Sequence, residues 1–184
     1  LHPTIYPDHF LINHSADIVV MHEGEETFKE LLERFSKDKS IDNVEGIAFR
    51  NKSGKVVINP PREQIKDLNK MPFMTHEYFL NKDSDRAYFF SSRGCPNNCS
   101  FCSASVHRGR RWRSRTPKNI VDEIESVLKR YPKVKEIRFM DDTFTLDNKR
   151  VIEICNEMIK RKINVRWRCS GRVFPISAEM IRIM

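Results

Sequence analysis

Cys95, Cys99 and Cys102 stand in Gly94-Cys95-Pro96-Asn97-Asn98-Cys99-Ser100-Phe101-Cys102, separated by three and two residues, with no fourth cysteine nearby. Three thiolates suit a 4Fe-4S cluster that keeps one iron open, since an electron-transfer cluster is ordinarily closed by four cysteines. An open iron can hold a molecule that reacts. Structural zinc requires four ligands, and only His107 is close enough in sequence to complete such a set. A disulfide framework fits poorly with five cysteines, an odd count, in a chain with no signal-like start. Cys155 and Cys169 fall where helix and strand periodicity buries them, and are read as small core residues.

The elements that must position these groups change character near Ala87. Before it, Ile18-Val19-Val20 reads as a strand leading into a helix with Thr27, Phe28, Leu31, Leu32 and Phe35 on its inner face. Residues 44–50 and 55–58 are strand-like and joined by Asn51-Lys52-Ser53-Gly54, a hairpin signal. Leu1 to Ile12 shows neither helix nor strand of its own, and residues 62–85 read as a linker with one short helix around Ile65 to Leu68. From Ala87 onward strands and helices alternate. A strand over 87–91 feeds the cysteine loop, and Thr116-Pro117 opens a helix with Ile120, Val121, Ile124, Val127, Leu128 and Tyr131 on one face. A strand over 134–140 follows, then a helix capped by Asp147 that turns Val151, Ile154, Cys155, Met158 and Ile159 inward, then a strand over 164–169.

This alternation predicts parallel βα units. In a βα barrel the chemistry gathers at the carboxyl ends of the strands. The cysteines follow the first of these strands, Asp141-Asp142 the second and Ser170-Gly171-Arg172 the third. Topology thus supports the cluster reading independently of cysteine spacing.

Lys and Arg number 33 against 25 Asp and Glu, a net charge of +8 that is concentrated in residues 108–115 and 160–172. Neither segment interleaves arginine with aromatics as an RNA-binding motif does, and basic groups also surround anionic clusters, so the charge points away from nucleic acid. Hydrophobic content of 39%, charged content of 32% and mean hydropathy of -0.57 describe an ordinary water-exposed protein. No apolar run is long enough to span a bilayer, and reduced thiols suggest the cytoplasm.

The cysteine loop resembles that of the radical S-adenosylmethionine (SAM) superfamily. Trp112-Arg113-Ser114-Arg115-Thr116-Pro117, Phe139-Met140-Asp141-Asp142-Thr143-Phe144-Thr145 and Trp167-Arg168-Cys169-Ser170-Gly171-Arg172 are similar to its cobalamin-binding branch. His2-Pro3-Thr4, Asp17-Ile18-Val19-Val20 and Glu23-Gly24-Glu25-Glu26-Thr27 look like the last βα unit of that branch's cobalamin domain, where glycine is more usual than His22.

The resemblance implies an α/β fold: residues 1–40 as the end of a Rossmann-like cobalamin domain, 41–85 as hairpin and linker, and 86–184 as the first half of a partial βα barrel. It implies a 4Fe-4S cluster on Cys95, Cys99 and Cys102, SAM, and cobalamin in the full-length protein. It places Phe101 against the adenine of SAM, Asp141 or Asp142 on its ammonium, and Arg172 with Ser170 on its carboxylate or ribose. Arg166 and Arg168, on one strand parity, are further candidates for the barrel lumen.

The implied activity is reductive cleavage of SAM to a 5'-deoxyadenosyl radical, most simply within a cobalamin-dependent methyltransferase. The substrate would be a small or lipid-like molecule and the electron donor a flavodoxin or ferredoxin. A methylthiotransferase acting on RNA or protein is the other enzyme reading, and a second cysteine triplet upstream would mark it. A non-catalytic iron-sulfur or zinc module is the reading from a different class. A start at Leu1 and a last helix of only two turns lead to the expectation of a longer enzyme.

Overall fold

The computed structural model describes residues 2–13, 15–107 and 109–184, without the side chains of Ser105 and His107. Leu1, Arg108 and the His107 side chain, all named above, lie outside the described residues. The chain divides into two compact units, Leu1–Ile65 with Asn98–Gly109 and Lys66–Asn97 with Arg110–Met184.

In the first unit, short helices α1 (His2–Ile5) and α2 (Pro7–Ile12) precede strand β1 (Ile18–Val20), helix α3 (Glu25–Phe35) and strands β2 (Ile47–Arg50) and β3 (Val56–Ile58). The two opening helices correct the expectation of an unstructured start. Pro7 sits at a helix start, where its missing N–H costs nothing, Leu11 is fully buried, and the Arg50 guanidinium caps the carbonyls of Leu11 and Ala16. Strands β1, β2 and β3 form an antiparallel sheet with Val19 opposite Ala48 and Phe49 opposite Val57.

Helix α3 buries Thr27 and Leu31, while Phe28, Leu32 and Phe35 are exposed, against the expectation that all five face inward. The buried face is fixed by Thr27, whose hydroxyl donates to Glu45 O at 3.3 Å and accepts from Arg62 Nε at 2.9 Å. The remaining described piece of this unit includes helix α4 (Ala104–His107).

The second unit begins with two 3-10 turns, Leu68–Lys70 and His76–Tyr78, in place of the single helix expected near Ile65. Asp67, whose carboxylate accepts from Asn69 N at 3.0 Å, starts the first turn later than apolar spacing suggested. Then come β4 (Arg86–Phe89), β5 (Ser92–Arg93), β6 (Arg113–Ser114), α5 (Pro117–Arg130), β7 (Glu136–Phe139), α6 (Asn148–Lys160), β8 (Arg166–Arg168) and α7 (Ala178–Ile183). Strands β4, β7 and β8 are parallel neighbours in that order, with Phe89 opposite Phe139 and Ile137 opposite Trp167.

Helices α5 and α6 make the crossovers. Thr116, Asp147 and Ser177 cap α5, α6 and α7 by accepting the backbone N–H of Asn119, Arg150 and Met180 respectively, each a bond of about 1 kcal/mol. The core between helices and sheet gathers Phe89, Ile120, Val121, Ile124, Ile137, Phe139, Phe144, Val151 and Ile154, all essentially inaccessible, with Cys155 beside them. Ile159, expected inside, is exposed at the far end of α6. Among the described residues no helix is long and apolar enough to cross a membrane.

Candidate active site at the strand ends

Past β4 the chain reaches Ser91 and Ser92, both buried. Asp141, just past β7 and 3% exposed, accepts Ser91 N at 2.7 Å, Ser91 Oγ at 2.6 Å and Ser92 Oγ at 2.5 Å. Its carboxylate is therefore committed to bracing the neighbouring strand end. Gly94 follows with φ of 83°, a left-handed conformation that a side chain would strain, and it turns the chain into Cys95.

The Cys95 sulfur lies 3.5 Å from Thr143 Oγ1 and accepts from Asn97 Nδ2 at 3.2 Å. Burial pushes this thiol up and the Asp142 charge adds to that, but the Thr143 hydroxyl and the side chain and backbone of Asn97 outweigh both and hold it below its ordinary value. Asn97 Nδ2 is the assigned donor that prepares this sulfur to be a thiolate ligand, since the Thr143 hydroxyl also donates to Asp142 O at 2.8 Å.

Cys99 and Cys102 belong to the other unit, where Cys102 N donates to Cys99 O at 3.1 Å in a turn. Cys99 is half-buried, whereas Cys102 and Phe101 are exposed, Phe101 by 91%. The five cysteines, all among the described residues, form no disulfide. Among the described residues no three His, Cys, Asp or Glu side chains converge on one metal ion. Burial raises Cys155, and burial with the Asp141 charge pushes Cys169 up to about 11, as for inert core thiols.

The loop after β7 also meets the loop after β8. Phe144 N donates to Ser170 O at 2.9 Å and Arg172 N to Thr145 Oγ1 at 3.3 Å. A Cβ on Gly171 would lie 2.6 Å from Thr145 Oγ1, so glycine is what permits this approach. The Ser170 and Arg172 side chains are exposed. Arg166 and Arg168 are exposed too, and Arg168 pairs with Glu136 at 3.0 Å beside the sheet.

Within the basic run, two arginines are withdrawn from solvent. Arg113 is 6% exposed and Arg115 is half-buried. Arg115 donates Nε to Asn119 Oδ1 at 2.6 Å and Nη1 to both Phe90 O, at 3.2 Å, and Glu123 Oε2, while its guanidinium packs 5.4 Å from the Phe73 ring centre. Glu123, 2% exposed within α5, also accepts from His76 Nε2 at 2.9 Å and Met74 N at 3.0 Å. From α6, Arg150 reaches back to Ser91 O and Arg115 O.

The radical SAM superfamily model matches residues 89–184, more than half of the chain. The chain belongs to the radical SAM superfamily. An uncharacterized methyltransferase of Pyrococcus horikoshii is 36% identical over 91% of this chain and 37% of its own length. Among solved structures, the radical SAM methyltransferase TsrM of Kitasatospora setae, with tryptophan and a SAM analogue bound, superposes with a TM-score of 0.79 over 98% of this chain and 37% of TsrM, at 18% identity. OxsB, a cobalamin-dependent SAM radical enzyme solved with aqua-cobalamin, gives a TM-score of 0.79 over all of this chain and 28% of OxsB, at 22% identity. At those identities the likeness is one of fold, a mixed α/β arrangement common to radical SAM enzymes. The chain spans little more than a third of the Pyrococcus relative.

Sequence reasoning missed the radical SAM chain's Ser91, Ser92, Glu123 and Arg150. Charged residues in helices α5 and α6 read as solvent-facing by pattern, and only the polar Ser91-Ser92 pair at a strand end offered a local signal.

Proposed function

We propose that this chain is the part of a cobalamin-dependent radical SAM enzyme, most simply a methyltransferase, that holds a 4Fe-4S cluster and SAM. The observation that carries the reading is the three-cysteine loop inside the segment matched by the radical SAM superfamily, at the carboxyl end of the first strand of a parallel sheet. Two similarities support the cobalamin branch: the Pyrococcus relative is described as a methyltransferase, and OxsB is described with cobalamin bound.

The donor types and their spacing suit such a cluster. Cys95 is offered hydrogen bonds that favour its thiolate, and Cys99 and Cys102 follow at the spacing of the motif. When bound, the cluster and SAM supply one-electron reductive cleavage to methionine and a 5'-deoxyadenosyl radical, with cobalamin carrying the methyl group.

In this reading Cys95, Cys99 and Cys102 anchor the cluster and leave one iron for SAM. Because Asp141 already accepts three bonds, Asp142 is the carboxylate that receives the SAM ammonium. Arg172, beside Ser170 on the loop that Gly171 seats against Thr145, forks onto the SAM carboxylate. Exposed Phe101 offers its ring to the adenine.

The same reading makes residues 1–40 the end of a Rossmann-like cobalamin domain, 41–85 a hairpin and linker, and 86–184 the opening half of a partial βα barrel. It entails a flavodoxin- or ferredoxin-type electron donor, a small or lipid-like substrate, and a reducing, cytoplasmic setting.

Anaerobic reconstitution of the full-length protein tests it. About four irons per chain are expected, lost in Cys95→Ala, Cys99→Ala and Cys102→Ala and kept in Cys155→Ala and Cys169→Ala. Iron lost only in the latter two overturns the ligand set. A corrin absorbance titration showing no cobalamin binding by the full-length protein moves it out of the cobalamin branch.

A further inference from the structure

The excursion from Ser92 to Ser114 carries all three motif cysteines, and its two feet are Ser91 and Arg115. One guanidinium holds both. Arg150 donates Nη2 to Ser91 O at 2.8 Å and Nε to Arg115 O at 3.0 Å. The feet are also joined directly, by Arg115 N donating to Ser91 O at 2.9 Å and by the β5–β6 pairing of Ser92 with Ser114. On its other side Ser91 is held by Asp141. Arg150 is 5% exposed, packs 5.9 Å from the Trp112 ring centre, and has no role in the chemistry described above.

Burying a guanidinium is expensive, and an apolar residue of similar volume often stabilises a fold as well or better. Geometry explains its presence here. A planar fork can reach two carbonyls in a fixed mutual orientation, which neither lysine nor an apolar side chain can do. The loop after β7 supplies Asp141 to one foot and Thr143 to Cys95, while α6, which begins where that loop ends, supplies Arg150 to both feet.

We infer that Arg150 is a positioning residue, which fixes the base of the cysteine-bearing excursion against the loop after β7 and so sets Cys95 relative to Asp142. The inference rests on the reading that Cys95 anchors the cluster and Asp142 meets SAM, although the brace itself can be measured without either cofactor.

Arg150→Met and Arg150→Lys in the full-length protein test it. Amide hydrogen exchange on the cofactor-free protein is expected to speed up tenfold or more at Ser91, Arg115 and residues 92–95 in Arg150→Met, with α5 and the remainder of α6 unchanged, and by an intermediate factor in Arg150→Lys. After anaerobic reconstitution, Arg150→Met should retain its iron yet bind SAM about tenfold more weakly and show a reduced SAM-induced change in the cluster's electron paramagnetic resonance signal. Should Arg150→Met not fold, Arg150→Lys alone decides. Unchanged exchange at the two feet, or acceleration spread evenly over both helices, overturns the inference. Absence of a cluster in the unsubstituted protein instead overturns the proposed function, and the exchange data still decide the brace.

Discussion

Asp141 and Ser91 are joined twice, the backbone N–H and the hydroxyl of Ser91 both donating to the same carboxylate at 2.7 and 2.6 Å. The end of β4 is thereby clamped to the end of β7 by a group that has no oxygen left uncommitted once Ser92 is included. The two adjacent aspartates should then behave differently. Asp141→Asn replaces an acceptor by a donor among buried donors and is expected to cost about 1.5 to 3 kcal/mol. Asp142→Asn should cost less stability than Asp141→Asn and weaken SAM binding. Urea unfolding and a SAM titration on the full-length protein separate these effects; equal stability losses would refute the division of roles.

Glu123 should make stability depend on acid. Burial pushes its carboxyl up, but hydrogen bonds from His76 and Arg115, the Arg115 charge and Met74 N together hold it below its ordinary value of 4.5. A depressed folded-state value means the group stabilises fully above its unfolded value and progressively less as pH falls through the folded one. Denaturant midpoints should therefore drop below pH 4.5, and Glu123→Gln should flatten that drop. Glu123→Ala, which removes the buried carboxylate that Arg115 and His76 share, should cost about 3 kcal/mol or more at neutral pH.

Thiol reactivity offers a third check. Cys95 is held below its ordinary value, whereas Cys155 is raised and Cys169 is pushed up to about 11. The thiolate fraction favours Cys95, and the stronger nucleophilicity of a more basic thiolate offsets part of that, so alkylation of reduced apoprotein near pH 7.5 should label Cys95 about tenfold or more faster than Cys169. Peptide mass spectrometry over a time course reads this directly, and similar rates at Cys95, Cys155 and Cys169 would contradict it.

Gly171→Ala should push the Ser170–Arg172 loop away from Thr145, because the new methyl would lie 2.6 Å from a buried hydroxyl. A loss of about 1 to 3 kcal/mol is expected from such overpacking, together with weaker SAM binding. Adding Thr145→Ala should recover most of the stability. No recovery in the double variant would show that Thr145 is not the obstacle.

The parallel unit was largely legible because its signals are local. Thr116-Pro117, Asp147 and Ser177 announce helix starts through their own side chains, and the spacing of Ile120, Val121, Ile124 and Val127 identifies the buried face of α5. The strand ends then followed from topology. What escaped notice depends on partners distant in sequence. Arg150 lies 59 residues from Ser91 and Glu123 lies 47 from His76, so nothing near either residue marks it as buried. Helix α3 misled for the opposite reason. Its apolar stripe is wide enough to suggest several inner faces, and the Thr27 hydroxyl bonds to Glu45 and Arg62, outside the helix, select among them.

The brace on the cysteine excursion also has an order in time. Ribosomes add roughly 5 to 20 residues per second, so the 48 residues from Cys102 to Arg150 amount to a delay of about 2 to 10 seconds during synthesis. Throughout that interval the cysteines have emerged while the helix that will fasten their loop has not. The nascent protein therefore passes through a stage in which the base of its cysteine loop is not yet braced by Arg150, and the speed of translation up to α6 governs how long that stage lasts.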